Sequence, residues 1–165
     1  MTLKSYIMAE LEEIKREFLD ALEGLDDDTI GRFSPKGHWP IAWIVQHCCE
    51  NYDKWLYKSL TGKYCLQHDL FITARPIQPP DPEAKYPTID TLRKRIDKVL
   101  SSIIEEMKKL KDEDLDNKLH GEESIVLGCY RVINHTNSHL RNIWFILGEL
   151  GVDRWSEQKL VFPSA

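Results

Sequence analysis

Apolar residues recur every three or four positions in four stretches of this 165-residue chain, which is the spacing of one face of an amphipathic helix. The first stretch predicts a helix over residues 3–23, with Gly24 as its C-cap. The second predicts a helix over residues 40–60, because Pro40 suits the first helical turn. The apolar stripe of the first helix consists of Ile7, Leu11, Ile14, Phe18, Ala21 and Leu25.

The third and fourth stretches predict two further helices. The third begins after the N-cap Thr88, and the fourth runs from its cap Ser124 to Gly151. Residues 25–39 and 112–123 are rich in polar residues and predict connections between helices. The apolar stripe of the third helix consists of Leu92, Ile96, Val99, Ile103, Met107 and Leu110.

Residues 62–87 do not follow a helical pattern, since they begin with glycine and contain five prolines. Long connections of this kind are uncommon within compact domains and are often functional. Four amphipathic helices without a strand pattern predict an all-α four-helix bundle, in which this connection crosses over between the second and third helices. The strand-like residues 70–73 are expected to form a lid or flap. Three polar residues of the connection, Tyr64, His68 and Asp69, are candidate contributors to a site, although nothing in their spacing assigns them a role.

Composition limits the class of protein. The length predicts a single domain over residues 1–165. The net charge is −5 and the sequence has no run of basic residues, so nothing in its charge pattern indicates binding to nucleic acid. No stretch is apolar over the length that spans a bilayer, and residues 1–16 mix apolar residues with Lys and Glu, unlike a signal peptide. A cytoplasmic protein without a nucleic-acid or membrane partner is therefore expected.

The four cysteines are Cys48, Cys49, Cys65 and Cys129, and they form no C-x-x-C motif of a zinc ribbon or a thioredoxin-like site. Free thiols are expected, and buried cysteines usually act as small hydrophobic residues. A reactive-cysteine enzyme is the weakest alternative. Neighbouring residues on a helix point about 100° apart, so that neither Cys48 nor Cys49 faces His47.

A polar island interrupts the apolar fourth helix and contains His135, His139 and Asn142. Residues four apart on a helix lie on one face, so the two imidazoles project together, with Asn142 near the same stripe. Two histidines spaced in this way can share one metal ion. The alternative is a pair of hydrogen-bonded core histidines, and the pair alone does not decide between the two.

His47 brings a third histidine, which lies within an apolar stripe of the second helix. Taken alone, such a histidine is more often a core residue than a ligand. If the second and fourth helices pack together, however, His47, His135 and His139 converge, and bundles build metal sites in this way. Three protein ligands leave one position open for water or substrate. The residues proposed to orient a ligand or line the pocket are Trp43, Glu50, Asn51 and Asn142.

Two segments together resemble the DinB-like superfamily, which includes YfiT-type metal-dependent hydrolases and thiol S-transferases. They are residues 39–47, WPIAWIVQH, and residues 133–143, INHTNSHLRNI. The resemblance covers essentially the whole chain: four helices, a long second crossover, one histidine on the second helix and H-x-x-x-H on the fourth.

The resemblance implies a four-helix bundle, often a homodimer, with one divalent metal held by three histidines. By position these match His47, His135 and His139. The metal is zinc or nickel in many members, and Fe, Mn and Cu stay open for this chain. Characterised relatives include S-transferases that use bacillithiol or mycothiol and a mycothiol-dependent isomerase. A small-molecule substrate, such as a low-molecular-weight thiol, is therefore expected.

These observations leave three functions open. The first is a metal-dependent thiol S-transferase or hydrolase, in which the ion activates a thiol or water. No carboxylate lies on the stripe of His135 and His139, which favours thiol transfer, and no catalytic residue is assigned. The second is a non-catalytic bundle that binds metal or a small ligand. The third is a metal-free dimeric scaffold with core histidines.

Overall fold

The computed structural model describes residues 1–66, 83, 85–121 and 123–152. Within these ranges the chain is helical and has no strand, which confirms the all-α fold class. None of the described helices has the length and apolarity that a bilayer crossing requires. The elements are α1 (Leu3–Leu22), α2 (Asp27–Gly31), α3 (Ile41–Tyr52), a π-helical segment (Asp53–Tyr57), α4 (Lys58–Thr61), α5 (Ile89–Lys109), a 3₁₀ helix (Asp112–Asp116) and α6 (Ile125–Glu149).

The long helices pack around one apolar core. Helices α1 and α3 each contact both α5 and α6, so the core lies between them. The stripes read from the sequence supply its side chains, and full burial of one such side chain contributes about 1.5–3 kcal/mol. In the stripe of α5 the fully buried residues are Leu92, Ile96, Val99, Ile103 and Met107. The contact between α3 and α6 brings the helices that carry the three histidines together.

Side-chain caps and glycines define the helix ends. The Thr88 side chain accepts a hydrogen bond from the backbone N of Thr91, as its position before α5 predicts. Gly24 and Gly151 follow the ends of α1 and α6 with left-handed φ angles of +64° and +76°. Ser124 precedes α6, but its side chain makes no capping hydrogen bond.

The connection predicted over residues 25–39 is partly helical. The Asp26 carboxylate accepts a hydrogen bond of 2.7 Å from the backbone N of Thr29 and thereby caps the short helix α2. Ile30 in this helix is fully buried, which ties the connection to the core. One buried apolar residue gives no periodic signal, so the sequence pattern does not reveal this helix.

The chain between α4 and α5 covers residues 62–88. Residues 67–82 and 84 lie outside the described residues, and with them lie the predicted lid at 70–73 and the candidates His68 and Asp69. Tyr64 is described, and its hydroxyl accepts a hydrogen bond from Lys58 Nζ at the protein surface. The sequence also predicts that the apolar tail residues fold back on the bundle or pack at a dimer contact. These residues lie outside the described ranges: Trp155, Leu160, Val161 and Phe162.

Asp53 anchors the π-helical segment that follows α3. Its side chain is fully buried and accepts hydrogen bonds from the backbone N of Cys65, at 2.8 Å, and of Leu66, at 2.9 Å. These bonds join the chain after α4 back to the start of the π-helical segment. π-helical segments occur mostly as single turns and often at functional sites.

We expect Asp53→Asn to lower the free energy of unfolding by about 2 kcal/mol. The amide keeps one acceptor oxygen, so one of the two buried N–H groups faces an NH₂ donor instead of a carboxylate. Chemical denaturation measures the change. The matched control is Asp97→Asn, because Asp97 is an exposed carboxylate paired with Lys15, and such pairs contribute about 0–1 kcal/mol. Equal losses in the two variants would contradict the anchoring role of Asp53.

Candidate metal centre

Three histidines from two helices converge on one point. Helix α3 carries His47, and α6 carries His135 and His139 one turn apart. The Nε2 atoms of His47 and His135 lie 3.2 Å apart, and those of His135 and His139 lie 3.1 Å apart. One ring nitrogen from each histidine lies within 4.8 Å of the other two. In the described part of the chain no cysteine, aspartate or glutamate joins this cluster.

The spacing of these nitrogens fits a divalent transition metal. Tetrahedral coordination with zinc–nitrogen bonds of about 2.0–2.1 Å places the ligand nitrogens about 3.3–3.4 Å apart. The two Nε2 separations of 3.2 and 3.1 Å are close to that distance. The donor set of three neutral imidazoles is one that zinc, nickel, copper and iron all accept, so it does not select the metal.

The surroundings keep the histidines neutral at physiological pH. Burial is the largest cause that lowers the pKa of His47 to about 3, and the nearby His139 and His135 contribute to the same shift. Burial also lowers the pKa of His139 to about 4, with His135 adding to the effect. His135 is more open to solvent, and partial burial lowers its pKa as well. Neutral imidazoles have a free lone pair, which is the form that binds metal.

Trp43 sets the orientation of the His47 ring. Its indole stacks on the imidazole with ring centroids 5.0 Å apart and an interplanar angle of 11°. The ring of Trp39 packs edge-on against that of Trp43, with the ring centroids 4.3 Å apart, and so supports the indole that stacks on His47. Among the described residues, the buried Nδ1 atoms of His47 and His139 have no hydrogen-bond partner. Ring stacking, rather than the usual hydrogen bond to the second ring nitrogen, therefore holds His47 in place.

The other residues proposed from the sequence lie at different distances from the cluster. Asn51 is adjacent, with its side-chain Nδ2 2.9 Å from His47 Nε2. Glu50 is fully buried on a neighbouring stripe of α3, where its carboxylate accepts a hydrogen bond from Gln46. Asn142 is exposed on α6. The structure thus brings Trp43 and Asn51 to the histidines, and the roles proposed for Glu50 and Asn142 stay predictions.

A cavity of about 310 Å³ opens beside the histidine cluster. Two of the three histidines, His47 and His135, form part of its wall together with Asn51. Its remaining lining residues are Trp55, Glu123, Gly128, Arg131 and Val132. The volume lies at the lower end of the range of small-molecule sites, so the cavity admits a small ligand next to two histidines.

Sequence reasoning missed most of this wall, although part of it had a signal. Gly128, Arg131 and Val132 precede His135 by seven, four and three positions and therefore share its helix face. Extending the histidine stripe toward the N-terminus of α6 finds them. Glu123 comes before α6, where helix spacing does not apply, and only the packing shows that it reaches the cavity.

The family comparison adds independent support. The family model of the DinB superfamily matches residues 10–143, a range that contains all three histidines. The chain belongs to the DinB superfamily. No curated protein and no solved structure matches it. The match confirms the resemblance of the two histidine-bearing segments, and for this DinB-superfamily chain the three histidines are positioned to hold a metal ion.

All four cysteines of this DinB-superfamily protein are free, as predicted. Cys48, Cys49 and Cys129 are fully buried, while Cys65 is partly buried. Burial raises the pKa of Cys49, Cys65 and Cys129 to about 12, and it raises that of Cys48 as well. These thiols stay protonated at neutral pH, which is the opposite of a nucleophilic cysteine.

Proposed function

We propose that this DinB-superfamily protein is a metal-dependent enzyme that acts on a small molecule, with thiol S-transfer as its reaction. The observation that carries the proposal is the convergence of His47, His135 and His139 beside a cavity that His47 and His135 line. Zinc and nickel are the proposed ions, and a low-molecular-weight thiol is the proposed co-substrate. The proposal assigns the ion to the three histidines and the reacting molecules to the cavity.

The arrangement of the wall indicates where the reaction takes place. The cavity is lined by His47 and His135 but not by His139, so one side of the cluster faces it. A divalent ion held by three imidazoles lowers the pKa of a thiol or water in its open position. Asn51 lines the cavity next to His47, and its amide N–H can donate a hydrogen bond to a bound sulfur or oxygen there.

In the proposed reaction the thiol sulfur forms a bond to an electrophilic carbon of the second substrate. The leaving group departs with the electrons of the broken bond, and the thiol proton passes to solvent. This chemistry requires activation of the nucleophile but no protein side chain as proton acceptor. It suits a cluster that, within the described residues, contains histidines alone.

Hydrolysis by activated water is less well supported. A hydrolase usually needs a side chain that moves protons between water and leaving group. The carboxylate that lines the cavity belongs to Glu123, which forms an ion pair with Arg131. The same shortage of a proton-transfer group supports a second candidate, a protein that binds metal or a small ligand without turnover.

The proposal is tested with protein loaded with zinc or with nickel. The assay combines a thiol, either β-mercaptoethanol or cysteine, with 1-chloro-2,4-dinitrobenzene, and a parallel assay uses p-nitrophenyl acetate for hydrolysis. We expect thiol conjugation at least about 10-fold faster than with metal-free protein or with His135→Ala. Metal-loaded wild type that conjugates no thiol faster than these controls would sink the S-transferase and leave the non-catalytic binding protein.

A further inference from the structure

The cavity beside the histidines has one wall whose composition is not explained by metal binding. The uncharged residues Trp55, Gly128 and Val132 line this part of the cavity. Val132 is 4% exposed, whereas Trp55 is 55% exposed although it is a large aromatic residue. An aromatic ring left this open at the edge of a cavity is a surface on which another apolar group can pack.

Trp55 lies on the same helix stripe as His47 and Asn51, since the three residues are spaced four apart. It belongs to the π-helical segment and lines the cavity together with His47 and Asn51. Lys54 Nζ lies over the Trp55 ring at 4.9 Å from its centroid. Asp53 belongs to the same π-helical segment as Trp55, so its hydrogen bonds to Cys65 and Leu66 also help to fix the position of the Trp55 indole at the cavity.

Gly128 lines the cavity together with Trp55. It belongs to α6, where glycine costs about 1 kcal/mol relative to alanine, so its presence needs a packing reason. A Cβ atom at Gly128 would lie 3.7 Å from the carbonyl oxygen of Trp55, which is an ordinary contact. The helix therefore tolerates a first side-chain atom there, but a longer side chain would extend into the space beside Trp55.

The charges at the cavity indicate what kind of group fits. Arg131 and Glu123 both line it, and they pair with each other. Among the lining residues that the structure describes, the charged side chains of Arg131 and Glu123 therefore neutralise each other. A group that enters between Trp55 and Gly128 gains by leaving water and by stacking, which favours an uncharged apolar group over a carboxylate or phosphate.

We propose that the cavity is a specificity pocket for a small, uncharged apolar group, such as a single aromatic ring, attached next to the sulfur of the thiol substrate. The ring packs between Trp55 and Gly128, while the sulfur lies at the side formed by His47 and His135. This inference rests on the proposed function and names the substrate class of the same site. Trp55 and Gly128 are specificity-determining residues that touch the substrate but not the ion.

The test compares two thiols on cobalt(II)-loaded protein. Benzyl mercaptan carries the proposed ring and β-mercaptoethanol does not, and binding of either is followed by the sulfur-to-cobalt absorption band. Gly128→Leu fills the pocket, and we expect it to weaken benzyl mercaptan at least about 10-fold while changing β-mercaptoethanol less than about 3-fold. Cobalt uptake stays the same, because the substitution leaves the histidines in place.

Gly148→Leu is the matched control. Gly148 lies on the same helix, and no heavy atom lies within 4 Å of the position its Cβ would occupy. We expect both thiols to bind this variant as they bind wild type. Trp55→Ala is the second variant, which removes the stacking surface from an exposed position, and it should also weaken benzyl mercaptan selectively. If Gly128→Leu does not fold, the binding of the two thiols to Trp55→Ala tests the specificity pocket instead.

The outcomes separate the inference from the proposed function. If wild type binds cobalt and both thiols, but the pocket variants do not discriminate between them, the specificity pocket is overturned and the thiol chemistry stands. If wild type takes up no cobalt, the proposed function fails. Ligand-observed NMR of toluene on the same samples then decides the pocket: toluene binding lost in Gly128→Leu and kept in Gly148→Leu supports it, and any other pattern overturns it.

Discussion

Replacing His135 and His139 together by alanine is expected to abolish metal binding. Wild-type protein purified without chelator should contain about one equivalent of a divalent transition metal per chain, and the double variant should contain none. Two of three ligands are lost, and each contributes a bond that water cannot replace with equal affinity. Elemental analysis of untagged protein measures the content. Zinc and nickel are also added to both purified proteins, so that a shortage of metal during expression cannot explain an empty site.

The double variant is expected to stay folded, so the loss can be assigned to the site. Alanine is the best helix former, and both positions lie well inside α6. Far-UV circular dichroism and a thermal melt check this expectation. The control is His120→Ala, which removes an exposed histidine outside the cluster and should retain the metal. Metal retained by the double variant, or absent from wild type after addition, would return the histidines to the role of core residues.

The four thiols of the native protein are expected to react at least about 100-fold more slowly with Ellman's reagent at pH 8 than those of the unfolded chain. A thiol of ordinary pKa near 8.5 is about one quarter ionised at this pH, whereas a pKa near 12 leaves about one in ten thousand. A thiolate of higher pKa is also a stronger nucleophile, so the difference in reaction rate is smaller than the difference in ionised fraction. For Cys48, Cys49 and Cys129, burial also excludes the reagent.

The sign of the pH dependence follows from the raised pKa values. Because the pKa of each thiol is shifted upward, the neutral form persists to higher pH, and the native rate should keep rising up to pH 10 without levelling near 8.5. Absorbance of the released thiolate measures the rate, with protein in guanidinium chloride as reference. Cys65→Ser tests whether residual reactivity comes from the partly buried thiol. A rapid burst from one native cysteine would revive the reactive-cysteine alternative.

Helix positions were predictable because they depend on local chemistry. The stripe of α5 repeats every three or four residues, and Thr88 caps it with a hydrogen bond three residues ahead. Both properties involve neighbours within a few positions, so a single sequence reveals them. The short helix α2 was not predictable in this way. Its capping Asp26 and single buried Ile30 match the composition of an ordinary connection.

The candidate site was predictable to different degrees. His135 and His139 share a face because they are four residues apart on one helix, which is a local property. His47 lies 88 positions before His135, and the sequence pattern alone left it as a core histidine or a ligand. Membership of the DinB superfamily and the packing of α3 against α6 support the ligand role. Glu50 lies one turn after His47 and accepts a hydrogen bond from Gln46, and its proposed role toward the histidines stays a prediction.

The amino-acid sequence by itself determined the all-α class, the positions of the long helices and the pairing of His135 with His139, because these follow from hydrogen bonds and contacts within one or two helical turns. Only the tertiary structure decided that His47 meets them and that Trp43 stacks on its ring. It also decided that a cavity adjoins the cluster, with Trp55 in its wall. The meeting of the histidines and the cavity depend on how α3 and α6 pack, which has no periodic signature in the sequence. The four-residue spacing of His47, Asn51 and Trp55 places those three on one helix face, but it does not show that a cavity lies beside them.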